Sequence, residues 1–301
     1  MRSLRDYARM VENRFETLLP ALSRDSFDVC QMPGLLAESM RYSLLAGGKR
    51  LRPAMLLAAC EMLGGDAQEA LDDACAMEMI HTYSLIHDDL PGMDNDDLRR
   101  GRPTNHVVYG VGQAILAGDG LLNMAYEVML ANAAAHPARA NAHVMAMSEI
   151  ARGAGVTGMV AGQCADLYAE GKNVQDERML NYIHRGKTMA MFVGAIRAGA
   201  RLADADETAL RAITAYAEAF GVLFQVSDDV LDVTADAAAF GKSKGKDERD
   251  GKLTAVSALT LEGAKARVEA LLNDAISALD VFGSKADFFR ELAVTVARRD
   301  H

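Results

Sequence analysis

The sequence predicts an all-α fold. Half of its 301 residues are hydrophobic, with Ala, Leu and Met abundant, while aromatics make up only 6% and prolines number six, a composition that favours helices over strands. Apolar residues recur at helical spacing in one segment after another. Gly and Pro separate these segments, but there is no Pro- or Ser-rich linker and no clear internal repeat. Residues 1–301 are therefore expected to form one domain.

Taken in order, residues 4–19 carry a stripe of Leu4, Tyr7, Ala8, Val11, Phe15, Leu18 and Leu19 that Pro20 closes. A second helix is expected over 34–46. It stops at Gly47-Gly48-Lys49-Arg50-Leu51-Arg52-Pro53, where three cations follow two glycines. This reads either as a C-terminal cap whose basic residues offset the helix dipole or as a clamp for a diphosphate. A third helix, over 53–64, ends at Gly64-Gly65, and Asp66 is expected to cap a fourth. On that helix His81 stands seven residues before Asp88, nearly on the same face and ~10 Å away along the axis. It is either a satisfied core histidine or a ligand. Helices resume after the turn Gly101-Arg102-Pro103-Thr104, with a break expected near Gly118, and continue over 138–170. Residues 176–203 are interrupted around His184-Arg185-Gly186-Lys187-Thr188. Asp204 to Glu207 open a long helix reaching Asp232, and 254–299 are helical with a break near Gly283-Ser284.

The chemistry concentrates in two acidic clusters. The first is Leu85-Ile86-His87-Asp88-Asp89-Leu90-Pro91-Gly92-Met93-Asp94-Asn95-Asp96-Asp97-Leu98-Arg99-Arg100-Gly101. Carboxylates at this density repel one another, and hard divalent cations stabilise them together; Mg²⁺ prefers oxygen ligands and shares them with substrate phosphates. Arg99 and Arg100 suit a phosphate that metals leave partly neutralised. Pro91 and Gly92 end the helix, so a bulge can bring Asp94 beside Asp88. Alone, this stretch also reads as a solvated acidic loop. The second cluster is Phe224-Gln225-Val226-Ser227-Asp228-Asp229-Val230-Leu231-Asp232. Asp228 and Asp232 share a helical face, joined by Gln225, and the apolar neighbours fit a solvated face poorly.

Weaker signals lie between and after them. Gly158 and Gly162 permit close helix packing, and Gln163 and Asp166 can face one cavity. Gly186-Lys187-Thr188 is not a phosphate loop, because the first glycine and the preceding strand are missing, yet a lysine at a helix break can meet a phosphate. The run Gly241-Lys242-Ser243-Lys244-Gly245-Lys246-Asp247-Glu248-Arg249-Asp250-Gly251-Lys252 is either a flexible surface loop or a lid over bound phosphate.

A net charge of −10 argues against a general nucleic-acid binder. Cys30, Cys60, Cys75 and Cys164 have neither the spacing of a zinc site nor the density of a disulfide scaffold, and read as reduced thiols of a cytoplasmic protein. The N-terminus lacks the apolar core of a signal peptide. The longest apolar stretch, over 53–60, falls far below the ~20 residues of a membrane span, so no span is expected.

Gly47 to Pro53, the aspartate motif from Asp88 to Gly101, Gly162-Gln163-Cys164-Ala165-Asp166, Lys187-Thr188, Asp228-Asp229-Val230-Leu231-Asp232 and the lysine loop at 242–252 occur in the order of the short-chain trans-prenyltransferases. The chain resembles these isoprenyl diphosphate synthases over nearly its whole length, most closely bacterial farnesyl diphosphate synthases. The resemblance implies antiparallel helices around a deep cavity, with the two aspartate motifs facing each other across its mouth. It implies three Mg²⁺ ions, with Mn²⁺ as a substitute, on Asp88, Asp94 and Asp228, supported by Asp89 and Asp232. Arg99, Lys187, Lys242 and Lys252 would hold an allylic diphosphate; Lys49, Arg52, His81 and Arg100 would hold isopentenyl diphosphate without metal.

The implied reaction ionises the allylic C–O bond, adds the isopentenyl double bond to the carbocation and eliminates a proton. The Lys187 and Thr188 carbonyls and the Gln225 amide would stabilise the cation, while Phe224 and its apolar neighbours exclude water. In this family an aromatic residue five positions before the first aspartate, together with an insertion seen here as Pro91-Gly92, accompanies a C15 product. Tyr83 holds that position, ~7.5 Å down the helix. By helical phase Ser84 is ~40° from Asp88 and Tyr83 ~140° away. Farnesyl diphosphate is the expected product, with C20 or C10 synthases as alternatives. A noncatalytic partner subunit would show damage to the metal motifs or to the isopentenyl site, and none is seen. A terpene cyclase would need no second diphosphate site, and a di-iron bundle would need Glu-x-x-His pairs. A homodimer is expected by analogy. The family often reads Lys-x-Thr-Tyr-Pro where this chain has Lys252-Leu253-Thr254-Ala255-Val256, so the end of the lid and the start of the next helix are where it departs.

Overall fold

The computed structural model describes residues 2–170, 176–234 and 252–299. Helices follow one another: α1 Leu4–Leu18, α2 Gly34–Leu44, α3 Leu51–Met62, α4 Leu71–Asp88, α5 Asn105–Tyr109, α6 Val111–Ala135, α7 Ala140–Ala154, α8 Met159–Ala169 and α9 Glu177–Ile183. A π-turn at His184–Met189 leads into α10 Ala190–Leu202. Then come α11 Glu207–Thr234, α12 Ala255–Ala278 and α13 Asp287–Ala297. The only strands among the described residues are the two-residue pair Leu98–Arg99 and Arg102–Pro103. The all-α expectation holds.

Local chemistry explains the helix ends. Ser3 opens α1 through a reciprocal capping box with Asp6, and Tyr7, Val11 and Phe15 form its buried stripe. α3 and α4 are apolar around most of their circumference and lie in the core. α4 packs on α6, α10 on α3 and α7, and α11 on α12. This arrangement leaves the C-terminal end of α4 and the C-terminal half of α11 at one end of the bundle.

Several expected boundaries move. α2 ends at Leu44, and Asp66 accepts the Gln68 N–H at 2.8 Å in a turn instead of capping α4, which starts behind Ala70. No break occurs at Gly118. α6 runs straight through it because the His87 ring lies against the helix there: a Cβ on Gly118 would stand 2.1 Å from His87 Nε2. The chain breaks instead at Gly110, whose positive φ of 86° separates α5 from α6. The stretch 138–170 divides into α7 and α8, and the expected break at Gly283 is present, with φ 56°.

α6 also corrects the reading of apolar length. It is 25 residues long and contains an 18-residue stretch with a mean hydropathy of 1.2, long and apolar enough by composition to cross a membrane. Asp119 and Glu127 conceal this in the sequence. Ala114, Ala117, Leu121, Ala125 and Met129 are buried, whereas Val111, Ile115, Leu116 and Leu130 remain exposed.

Far from the aspartate motifs, His143 is fully buried between two carboxylates. Its Nδ1 lies 3.2 Å from Asp73 Oδ2 and its Nε2 3.1 Å from Glu69 Oε1. Only the imidazolium can donate to both. Asn132 donates to Asp73 at 2.6 Å, Arg139 to Glu69 at 2.6 Å, and His136 stacks on the ring at 5.3 Å. The Asp73 hydrogen bond raises the His143 pKa above its usual value, against the opposing effect of burial. A raised folded-state value makes this contribution complete below the unfolded value of about 6.5, and it is lost as pH rises through the folded value. The thermal midpoint is therefore expected to fall on going from slightly acidic to alkaline pH. His143→Ala should flatten that dependence and destabilise by about 3 kcal/mol, since it leaves the buried Asp73 charge with a neutral amide as its remaining side-chain donor. Thermal denaturation across pH checks both.

Candidate active site

The first aspartate motif begins where α4 ends. Beyond Asp88 the chain folds back on the helix: Asp94 N–H donates to the Asp88 carbonyl at 2.9 Å and Asp96 N–H to that of Asp89 at 3.2 Å. Asn95 takes a left-handed conformation at φ 50° to make the turn. The fold-back carries Asp94 to Asp88, as the Pro91-Gly92 interruption leads one to expect. Burial raises the Asp88 pKa and the nearby Asp94 charge adds to it, against the opposing pull of Lys187, Arg99 and Lys252.

Four carboxylates at this end each meet a donor from another segment of the chain. Gln163 on α8 donates its amide to Asp88. Lys187, in the π-turn, lies 2.6 Å from Asp166, and Lys252 lies 3.1 Å from Asp94. On α11, Arg299 reaches Asp228 at 2.5 Å, donates to the Phe224 carbonyl at 2.9 Å and stacks on the Phe224 ring. Sequence reasoning missed Arg299, because its partner is 71 positions away and the final Arg298-Arg299 reads as a frayed helix end.

Asp89 and Asp229 differ from their neighbours. Asp89, expected to support metal, is 3% exposed and accepts two bonds from Arg99 Nε and one from Nη2, at 2.7–2.9 Å. Buried at the helix end, its carboxylate orients an arginine. Asp229 accepts the Gln225 amide at 3.0 Å and the first N–H of α12, from Ala255, at 2.6 Å. His184 Nε2 stands 3.3 Å away. Gln225 also accepts the Thr188 hydroxyl at 2.8 Å. Asp232 lies on α11 with Asp228, and Lys242 lies outside the described residues.

The expected interruption around His184 is a π-turn, an irregularity common at functional sites. α8 crosses it at close range. A Cβ on Gly162 would stand 1.9 Å from the Lys187 backbone nitrogen, and one on Gly186 2.8 Å from Gly162 Cα. Gly162 is thus what lets Gln163 and Asp166 reach Asp88 and Lys187.

Two cavities adjoin the mouth. One of about 630 Å³ extends below Asp88 and is lined by Tyr83, Ser84, Met159, Leu167, Thr188 and Met191, among others. Tyr83 and Ser84 both line it, although helical phase separates them, because the cavity wraps around the last turns of α4. The Tyr83 ring packs edge-on against His87. A second cavity, of about 470 Å³, is lined by Lys49, Arg50, Arg52, Glu78, His81, Arg100 and Phe224. Burial pushes Arg52 down to about 10, and its buried Nε has no partner among the described residues. Burial and the Arg52 charge hold His81 well below its usual value. The neutral ring accepts from Arg52 Nη1 through Nε2, at 3.3 Å.

Residues 33–286 match the polyprenyl synthetase family. The chain belongs to that family. A geranylgeranyl pyrophosphate synthase from Capsicum annuum is 45% identical over 92% of this chain and 75% of its own length. The farnesyl diphosphate synthase of Bacillus subtilis is 40% identical over 99% and 97%. Among solved structures, an FPP/GFPP synthase from Zymomonas mobilis superposes with a TM-score of 0.84 at 34% identity, covering 98% of this chain and 97% of that one. A geranylgeranyl pyrophosphate synthetase from Pyrococcus horikoshii superposes with a TM-score of 0.85 at 27% identity over 98% and 97%. The chain's relatives are farnesyl and geranylgeranyl diphosphate synthases, which makes it a short-chain prenyltransferase and gives the family products of more than one length. Gly162→Ala is expected to destabilise the fold by about 1–3 kcal/mol, as overpacking does, and to abolish turnover by displacing the π-turn. Denaturant titration and an activity assay check the two effects separately.

Proposed function

We propose that the chain condenses isopentenyl diphosphate with dimethylallyl and then geranyl diphosphate to give farnesyl diphosphate. What supports the two-diphosphate reading is the pairing of an acidic mouth with an adjoining basic pocket that holds Arg52, whose buried Nε has no partner among the described residues.

Asp88, Asp94 and Asp228 would hold Mg²⁺. Their oxygen-only donor set fits it, with water and substrate phosphate completing the coordination. When bound, Mg²⁺ neutralises charge on the departing diphosphate. Lys187 and Lys252 leave their carboxylates to meet the allylic diphosphate, with Arg99 held toward it by Asp89. Lys49, Arg52, His81 and Arg100 take isopentenyl diphosphate, and His81 stays neutral so that it can donate from Nδ1 while Nε2 accepts from Arg52. Thr188 and Gln225, fixed by Asp229, turn dipoles toward the allylic cation. The apolar cavity receives the growing chain and excludes water, which would quench the cation.

Tyr83 is the observation that favours a C15 product, since its ring lines the cavity one and a half turns below Asp88. A C20 product is the second reading, favoured by the higher identity of geranylgeranyl synthases such as the Capsicum annuum protein. The exposed Val111, Ile115 and Leu116 of α6 support a homodimer. Incubation with Mg²⁺, dimethylallyl diphosphate and labelled isopentenyl diphosphate is expected to yield mainly C15; a C20 main product would establish the second reading. Tyr83→Ala should lengthen the product on the same assay, and an unchanged distribution would place the floor elsewhere. Asp88→Ala should lower kcat by at least about 10²-fold, as loss of charge stabilisation does, at any Mg²⁺ concentration. Chelation should stop the wild-type chain, and added Mg²⁺ should restore it.

A further inference from the structure

Of the cations in Lys49-Arg50-Leu51-Arg52, Arg50 is the one the proposed function does not use. It is also the most buried: its side chain is 1% exposed and pairs with Glu78, 2% exposed, at 2.8 Å. Its second amino group donates to the Leu44 carbonyl at 2.6 Å, its Nε lies 3.5 Å from Glu12, and its guanidinium stands over the Phe15 ring at 5.8 Å. Arg50 thus joins the starting residues of α3 to α1, α2 and α4 at once.

The backbone there is one that no preference of its own would adopt. Gly47 and Gly48 have φ of 82° and 131°, and Arg50, a residue with a Cβ, sits at 49°. A left-handed non-glycine residue persists only where its surroundings hold it, and here they are the Glu78 pair and the Leu44 carbonyl. The same turn carries the pocket. Lys49 precedes Arg50 directly, and Arg52 follows two positions later. Arg100 donates to the Gly47 carbonyl and lies so close over Gly48 that a Cβ there would meet its guanidinium at 2.8 Å. Displacing Arg50 therefore moves Lys49 and removes the seat of Arg100. Glu78 stands one helical turn before His81 on α4, so one helix supplies both the anchor and a member of the pocket.

We propose that Glu78 is a positioning residue for the metal-free diphosphate pocket, acting through Arg50, which itself binds no substrate. The inference rests on the assignment of that pocket to isopentenyl diphosphate. Its rival has the opposite sign. Were Arg50 a substrate ligand restrained by Glu78, removing the carboxylate charge would free a cation and tighten diphosphate binding.

Steady-state kinetics on the full chain with Mg²⁺, varying isopentenyl and geranyl diphosphate separately, decide between them. Glu78→Gln is expected to raise KM for isopentenyl diphosphate about tenfold, while kcat and KM for geranyl diphosphate stay within about twofold, the pattern of lost binding at one substrate only. Arg50→Lys keeps the charge but cannot bond both Glu78 and the Leu44 carbonyl, and should raise the same KM about threefold. A lowered or unchanged KM in Glu78→Gln overturns the proposal. If that variant does not fold, an unchanged KM in Arg50→Lys overturns it equally. A wild-type chain that elongates no allylic diphosphate defeats the pocket assignment and this inference with it; wild-type elongation with both variants unaffected defeats this inference alone.

Discussion

Charge compensation at the mouth of the cavity is the constraint on which the rest of the site depends. Two carboxylates at 4 Å repel by about 4 kcal/mol at the effective dielectric of a protein surface. The fold nevertheless brings Asp88 and Asp94 together and sets Asp228 and Asp232 on one face of α11. The acids are supported by donors drawn from α8, the π-turn, the start of α12 and the C-terminus: Gln163 on Asp88, Lys252 on Asp94, Arg299 on Asp228 and Lys187 on Asp166. The elements that meet at the mouth are thus tied together by the groups that the proposed reaction would use. In the proposed reaction a diphosphate arriving with its cations would exchange partners with them, phosphate taking the lysines and the carboxylates holding the metal. Neither component alone offers both exchanges.

The basic pocket follows a different rule. Its cations have few acids to answer them, and the burial that lowers Arg52 and His81 makes an incoming diphosphate the natural counter-charge. Glu78 is the carboxylate lining that pocket, and it is committed to Arg50. An acidic mouth and a basic pocket side by side can bring two polyanions together without the same metals having to bind both, despite the overall charge of −10.

Much of this was legible in the sequence, and the exceptions share a cause. Helical periodicity and punctuation identified the elements, because those signals are local. The i, i+4 spacing of Asp228 and Asp232 and the Pro91-Gly92 interruption likewise foretold geometry that depends on a few adjacent residues. What escaped depends on partners distant in sequence. Gly118 reads as a helix breaker until His87 is seen lying on it. Asp89 reads as support for the metal aspartates, and nothing in the sequence marks its bonds to Arg99. Arg299 carries no mark of Asp228, and Arg50 looks like one more cation of a phosphate clamp until Glu78 and Leu44 are seen to hold it.

The anchor between Asp229 and the first N–H of α12 bears on where this chain departs from its family's usual wording after Lys252. Thr254 and Ser257 form a reciprocal capping box, and Asp229 binds Ala255 through its backbone. A bond to an amide hydrogen is indifferent to the side chain that follows it. The bond itself therefore asks of position 255 only a backbone N–H, which excludes proline, while packing of the fully buried Ala255 side chain sets the size allowed there. The constraint sits on the far side of the contact, in an acid whose motif suggests metal and whose work here is to moor the end of a loop.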